Sequence, residues 1–182
     1  APRLSLQTYD PYKKGDPDHS EGFQSMNTVT ISGGTIGEDT YGGNVFGASR
    51  GDASVDNTQF GSCVWTEVNI RPNAPPANSP VIYGSVYGGG EIGRVLQSTE
   101  VQLTGGSIAG DAYGGGKGTS AVAANVGGNA TVELNKAVAS SAKGCSVSRI
   151  FGCNDQNGSP KGHVKVHVHA TRHPNTTQIV PK

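Results

Sequence analysis

Residues Thr99 to Gly118 read T-E-V-Q-L-T-G-G-S-I-A-G-D-A-Y-G-G-G-K-G. The stretch opens on two alternating apolar residues, Val101 and Leu103. It turns at Gly105-Gly106, continues through Ser107-Ile108 and closes on Ala112-Tyr113-Gly114. Alternation with period 2 describes a strand with one buried face, not a helix. Glycine suits the corners, where the chain needs positive φ or close backbone approach. The unit therefore reads as two or three short strands joined by glycine turns.

Working outward, the same unit recurs. Its opening pair appears as Val29/Ile31, Val68/Ile70, Val101/Leu103, Val132/Leu134 and Val164/Val166, with first members 39, 33, 31 and 32 residues apart. Its closing signature appears as Val45-Phe46-Gly47, Val86-Tyr87-Gly88, Ala112-Tyr113-Gly114 and Ile150-Phe151-Gly152. Gly33-Gly34-Thr35-Ile36 repeats the middle element, which unit four lacks. A unit that cannot bury its apolar face alone buries it by stacking on copies of itself. Stacking yields two inward columns, Val29/Val68/Val101/Val132/Val164 and Ile31/Ile70/Leu103/Leu134/Val166. The residues between them, Thr30, Asn69, Gln102, Glu133 and Lys165, form a wholly polar outward column. Apolar inside and polar outside in the same register predicts an all-β chain folded as a parallel β-helix of about four to five irregular rungs. The expected organisation is an irregular N-terminal arm or cap over 1–26, a β-solenoid repeat domain over 27–169 and a C-terminal tail over 170–182 that is irregular or extends into a partner.

These G-G-[ST]-I and [VAI]-[YF]-G-[GAC] elements resemble the glycine-rich repeats of bacterial surface and secreted proteins, with long Bacteroidetes repeat proteins the nearest match. The resemblance covers about residues 27–169. It implies an adhesin-type, pectin-lyase-like, right-handed β-helix at the cell surface or outside the cell. Such repeats carry adhesins, passenger domains and enzymes alike, so fold alone does not name an activity.

The 182 residues hold 28 glycines without the G-X-Y period of collagen. Lys plus Arg and Asp plus Glu balance at 14 each, so no net field draws the chain to nucleic acid or a membrane surface. No apolar run approaches the ~20 residues of a membrane span, so membrane insertion is not expected. The chain starts Ala1-Pro2-Arg3, which fits a mature product, a processed piece or an excised segment. Of the cysteines Cys63, Cys145 and Cys153, the last two are close enough in sequence for a candidate disulfide, with Cys63 buried beside Val64-Trp65.

Two stretches interrupt the repeat. Residues 49–66 form an excursion holding Arg50-Gly51-Asp52, a tripeptide that integrins recognise and a candidate ligand-binding element on an exposed loop. Residues 71–80 hold four prolines, which neither donate to a ladder nor form a helix, so a projecting surface loop is expected there.

Chemistry is sparse. Glu67 and Glu100 precede inward valines and are expected to stack on successive rungs, where crowded carboxylates could act as an acid/base pair. Thr28, Thr131 and His163 at the corresponding positions break the row. His163, Lys165, His167 and His169 share one face of the last strand. His167 and His169 lie two apart, yet no neighbouring Cys or carboxylate in the sequence completes a ligand set, so no metal and no cofactor is expected. Gly110-Asp111 is half of a calcium-binding nonapeptide whose row fails at Asn44 and Ser85. Phe46, Tyr87, Tyr113 and Phe151 fill the core if they face inward, which two phenylalanines favour. Facing outward, they form a ladder on which Tyr87 and Tyr113 could stack sugar rings. The expected function is a non-enzymatic structural or adhesive extracellular repeat that self-associates or joins other surface subunits, with rung edges open to head-to-tail fibre growth. The alternatives are glycan binding through the outer aromatics and a polysaccharide-acting enzyme.

Overall fold

The computed structural model describes residues 26–54, 61–140, 142–172 and 179–181. The expected arm over 1–26 thus lies outside them except for Met26. The first rung holds strands β1 (Met26–Ile31), β2 (Thr35–Ile36) and β3 (Val45–Phe46). The second holds β4 (Trp65–Ile70), β5 (Val81–Ile82) and β6 (Val86–Tyr87). The third holds β7 (Thr99–Leu103), β8 (Ser107–Ile108) and β9 (Ala112–Tyr113). The fourth holds β10 (Ala130–Leu134), β11 (Ser146–Val147) and β12 (Ile150–Phe151). Then come β13 (Val164–Val168), β14 (Ala170–Arg172) and β15 (Ile179–Pro181).

Strands separated by one rung in sequence are neighbours in space. The first sheet runs β1-β4-β7-β10-β13, the second β2-β5-β8-β11 and the third β3-β6-β9-β12. Every pairing in them is parallel. The chain is a parallel β-helix of four three-strand rungs and one further long strand.

The inward columns line up as the alternation predicts through four rungs: Val29 with Val68, Val101 and Val132, and Ile31 with Ile70, Leu103 and Leu134. Val68, Ile70, Val101, Leu103 and Val132 have no exposed surface, and Ile82, Ile108, Val45, Val86 and Ala112 close the interior from the other two sheets. Fully burying one such side chain is worth about 1.5–3 kcal/mol, so these columns drive the folding. Burial falls off at both ends of the stack: Val29, Ile31 and Ile36 are only partly covered, and Val164 and Val166 are 44% and 43% exposed.

The fifth strand departs from the expected register. Val164 pairs with Ala130, Val166 with Val132 and Val168 with Leu134. The outward columns therefore run Thr28/Glu67/Glu100/Thr131/Lys165 and Thr30/Asn69/Gln102/Glu133/His167. A slip of two residues keeps every side chain on its own face, so the apolar pattern cannot detect it; a slip of one would have inverted the strand.

Three other stretches differ from expectation. The excursion after each third-sheet strand is a regular second lobe: Cys63, Val95, Val126 and Pro160 form a column of parallel bridges, and Cys63, Val95 and Val126 are buried against Ala48. One bridging residue per rung leaves no alternation for a sequence to display. The proline loop does not simply project. It makes a short 3-10 turn at Pro76–Asn78, while Pro80 is fully buried and Pro72 lies against Gly105. Finally, the described residues of the tail, Ala170–Arg172 and Ile179–Pro181, form an antiparallel pair of β14 with β15, which ends the parallel pattern.

Candidate functional site

Four groups of side chains carry the chemistry of the described surface: the aromatic ladder, the Arg50 loop, the stacked carboxylates and the outer face of β10 and β13.

Phe46, Tyr87, Tyr113 and Phe151 each follow an inward residue of the third sheet, so they leave the strands on the side away from the main core. They stack face to face, with ring centroids 4.7, 5.0 and 5.0 Å apart and planes within 14° of parallel. The parallel register of β3, β6, β9 and β12 enforces this spacing, because rungs repeat at ~4.8 Å. The rings thus face outward from the core, against the expectation of core filling, yet the two tyrosines are covered. Tyr87 is 3% and Tyr113 8% exposed. Their faces are occupied by neighbouring rings, so neither provides the sugar-stacking platform expected of an outward aromatic. Phe151, the last ring, is 39% exposed.

Polar partners anchor this ladder. Tyr87 donates its hydroxyl hydrogen to Asp155 Oδ2 at 2.9 Å, and Tyr113 donates to Asp111 Oδ2 at 3.3 Å. Burial, with the charges of Asp155 and Asp111 added, pushes the Tyr113 phenol up to about 12. Arg149 grips Asp111 with two bonds, Nε to Oδ1 at 3.0 Å and Nη2 to Oδ2 at 2.7 Å, and holds the carboxyl below its usual range. The same guanidinium lies 5.5 Å from the Phe151 ring centroid. Asp111 is therefore the acceptor of an ion pair between rungs three and four. Arg149 and Asp155 are missing from the sequence reading because they lie 38 and 68 residues from their partners, Asp111 and Tyr87.

The Arg50-Gly51-Asp52 loop is clamped by its backbone and open at its side chains. The Arg50 carbonyl accepts from the Ile92 and Gly93 amides at 2.8 and 3.1 Å, and Gly51 has φ +78°. The Arg50 side chain is 86% exposed, with Nε 3.4 Å from Glu91 Oε2. Asp52 is exposed and accepts from the Ser54 amide and hydroxyl at 2.9 and 2.8 Å. Part of the excursion, residues 55–60, lies outside the described residues.

Glu67 and Glu100 are register partners, as expected. Each carboxylate accepts from the amide two residues on, Asn69 to Glu67 at 2.7 Å and Gln102 to Glu100 at 2.9 Å. The fifth member of this column is Lys165, not His163.

Beside it stands Glu133, whose side chain is only 5% exposed although it points outward. Lys165 donates to Oε1 at 3.1 Å, Lys136 lies 2.6 Å from Oε2 and His169 Nε2 3.6 Å from Oε2. Lys136 and then Lys165 hold the carboxyl down at about 2. The register of β13 sets His167 directly across from Glu133. The sequence reading found no carboxylate near His167 and His169; the two-residue shift of β13 supplies one.

The expected Cys145–Cys153 disulfide is absent. Cys145 is buried in the main core, whereas Cys153 is exposed. Burial also pushes the Cys63 thiol up to about 11. Only the thiolate reacts with an alkylating reagent. Maleimide at pH 7.5 is therefore expected to modify one thiol per native chain, at Cys153, and three in denaturant. Mass spectrometry of labelled peptides checks this, and rapid labelling of Cys63 in the native protein would contradict the burial.

No protein-family model, curated protein or solved structure matches this chain.

Proposed function

We propose that the chain is a non-enzymatic structural repeat segment of an extracellular or cell-surface protein, and that it works by stacking end to end with further copies of itself. The observation that carries this reading is the open end of the helix at β13. There the apolar columns of the first sheet stop at Val166 and Val168, with Val166 and the neighbouring Val164 both more than two-fifths exposed, and the aromatic ladder stops at Phe151. The outer edge of β13 has no partner strand among the described residues, and neither does the outer edge of β1.

A second copy is the occupant that fits. A parallel strand edge recruits another strand, and a β1 from a second copy carries the same inward Val29/Ile31 pattern that β13 meets at β10. Charge favours the same polarity. The β2–β3 corner carries exposed Glu38 and Asp39, and the matching β11–β12 corner carries Arg149, whose side chain is 70% exposed. The resemblance of the motifs to glycine-rich surface repeats supports the extracellular setting.

Light scattering over a concentration series, with electron microscopy of the same samples, tests the reading. Particles that lengthen with concentration are expected, and Val166→Lys is expected to shorten them because it places a charge on the stacking surface. Val166 is already half in solvent, so this variant keeps the fold. A monomer at every concentration would refute the assembly.

A further inference from the structure

We propose that Glu133, His167 and His169 form a binding site for one divalent metal ion of the zinc class. The three residues offer ligand atoms that all lie within 4.8 Å of one another. They come from adjacent strands of the first sheet: Glu133 from β10, His167 from β13 and His169 from the residue after it. Glu133 and His167 are direct register partners, and the His169 amide donates to the Leu134 carbonyl at 3.0 Å. The backbone thus holds the three positions together before any ion arrives.

Two observations point to a ligand here. His169 Nε2 is closed to solvent and has no hydrogen-bond partner, an arrangement that costs free energy for a buried polar nitrogen. It faces Glu133 Oε2 at 3.6 Å. Two ligands on one tetrahedral zinc, at bonds of about 2.0–2.1 Å, stand about 3.3 Å apart, so small side-chain motions suffice. Lys136 pairs with the same oxygen at 2.6 Å and has to swing away for the ion to take it.

The remaining adjustment falls on His167. Its ring stacks on His169 with centroids 3.7 Å apart and planes 25° from parallel. His167 is exposed, so rotation about its side-chain torsions turns its lone pair toward the other two ligands. Lys136 and Lys165 compete with the ion for the carboxylate. Both are about half exposed and free to swing into water. Two imidazoles and one carboxylate select zinc and its transition-metal neighbours over calcium or magnesium, which require oxygen ligands. The fourth position is left to water.

Calorimetric titration of the full chain, carrying no added histidine tag, with zinc chloride tests the site, and cobalt chloride provides a visible spectrum of the coordination. One zinc per chain is expected, with a four-coordinate cobalt spectrum and a thermal midpoint that rises with zinc concentration. His167→Ala and Glu133→Gln are each expected to weaken zinc at least about tenfold. Lys136→Met is expected to tighten it by removing a competing cation. His163→Ala, on the same face but outside the trio, leaves affinity unchanged. His167 is exposed, so its alanine variant keeps the fold and the test does not depend on stability. Absence of saturable zinc uptake would overturn the proposal, as would uptake that His167→Ala leaves intact.

Discussion

Gly88→Ala is expected to destabilise the protein by about 3 kcal/mol or more, the cost of forcing an extra atom against a rigid backbone. A Cβ at Gly88 would lie 2.3 Å from the Gly114 carbonyl oxygen of the next rung, and 3.0 Å from Val101 Cγ2. The obstacle is main chain, so no rotamer change relieves it. Hydrogen bonds on either side hold the rungs at their spacing: Gly88 donates to Tyr113 and Gly89 to Gly115, both at 2.9 Å. Separating the rungs to admit a methyl group breaks these bonds and unstacks Tyr87 from Tyr113. The position is one of a column, since a Cβ at Gly47 would meet the Gly88 oxygen at 2.3 Å and one at Gly114 the Gly152 oxygen at 2.4 Å. Thermal unfolding followed by circular dichroism measures the loss; for a chain of this size it corresponds to a midpoint about 6–12 °C lower. Gly34→Ala is the comparison. Gly34 has φ +80° but open space around it, so alanine there costs only the left-handed conformation, about 1–2 kcal/mol. Equal losses from the two variants would show that close approach between rungs does not restrict Gly88.

Asn135→Ala should cost a similar amount for a different reason. Asn135 is 2% exposed and holds three segments together. Its Nδ2 donates to the Cys145 carbonyl at 3.2 Å and the Ala170 carbonyl at 3.1 Å, while its Oδ1 accepts from the Cys145 amide at 2.7 Å. Alanine abandons these buried groups, and each group left unsatisfied costs about 1–3 kcal/mol. Asn135 also has φ 56°, which asparagine tolerates better than alanine. The sum is a loss of about 3–5 kcal/mol, read from the shift in denaturant midpoint. Asn135→Asp keeps the acceptor for the Cys145 amide but not the two donated bonds, so it should fall between wild type and Asn135→Ala. Amide exchange locates the damage: the Cys145 amide is expected to lose protection in Asn135→Ala and to retain it in Asn135→Asp. An alanine variant as stable as wild type would mean that water replaces the side chain without penalty.

Much of the fold was legible because a solenoid writes its core as repeated alternation. Val29, Val68, Val101 and Val132 identify one another by pattern alone, and the hydrogen-bonded register agrees. The same property hid the register of the fifth strand. Val164 and Val166 satisfy the alternation equally well in either of two placements, and the choice depends on how the chain turns between Phe151 and His163. That choice assigns His167, and not Lys165, to Glu133, so the trio on the outer face could not be read from the residues.

The aromatic column shows the same division. Four rings at matching places in four units predict a ladder wherever parallel strands stack. Whether Tyr87 and Tyr113 meet solvent depends on what lies over them, and Asp155, 68 residues after Tyr87, comes from the turn following rung four. The sequence by itself determined the all-β class, the parallel stacking and the inward columns, because these follow from side-chain alternation and local glycine turns. The tertiary structure decided the register of β13, the covering of the tyrosines, the separation of Cys145 from Cys153 and the reason for the Gly88 column. All of these but the cysteine pair depend on the distance between residues a rung or more apart, a quantity that no local pattern encodes.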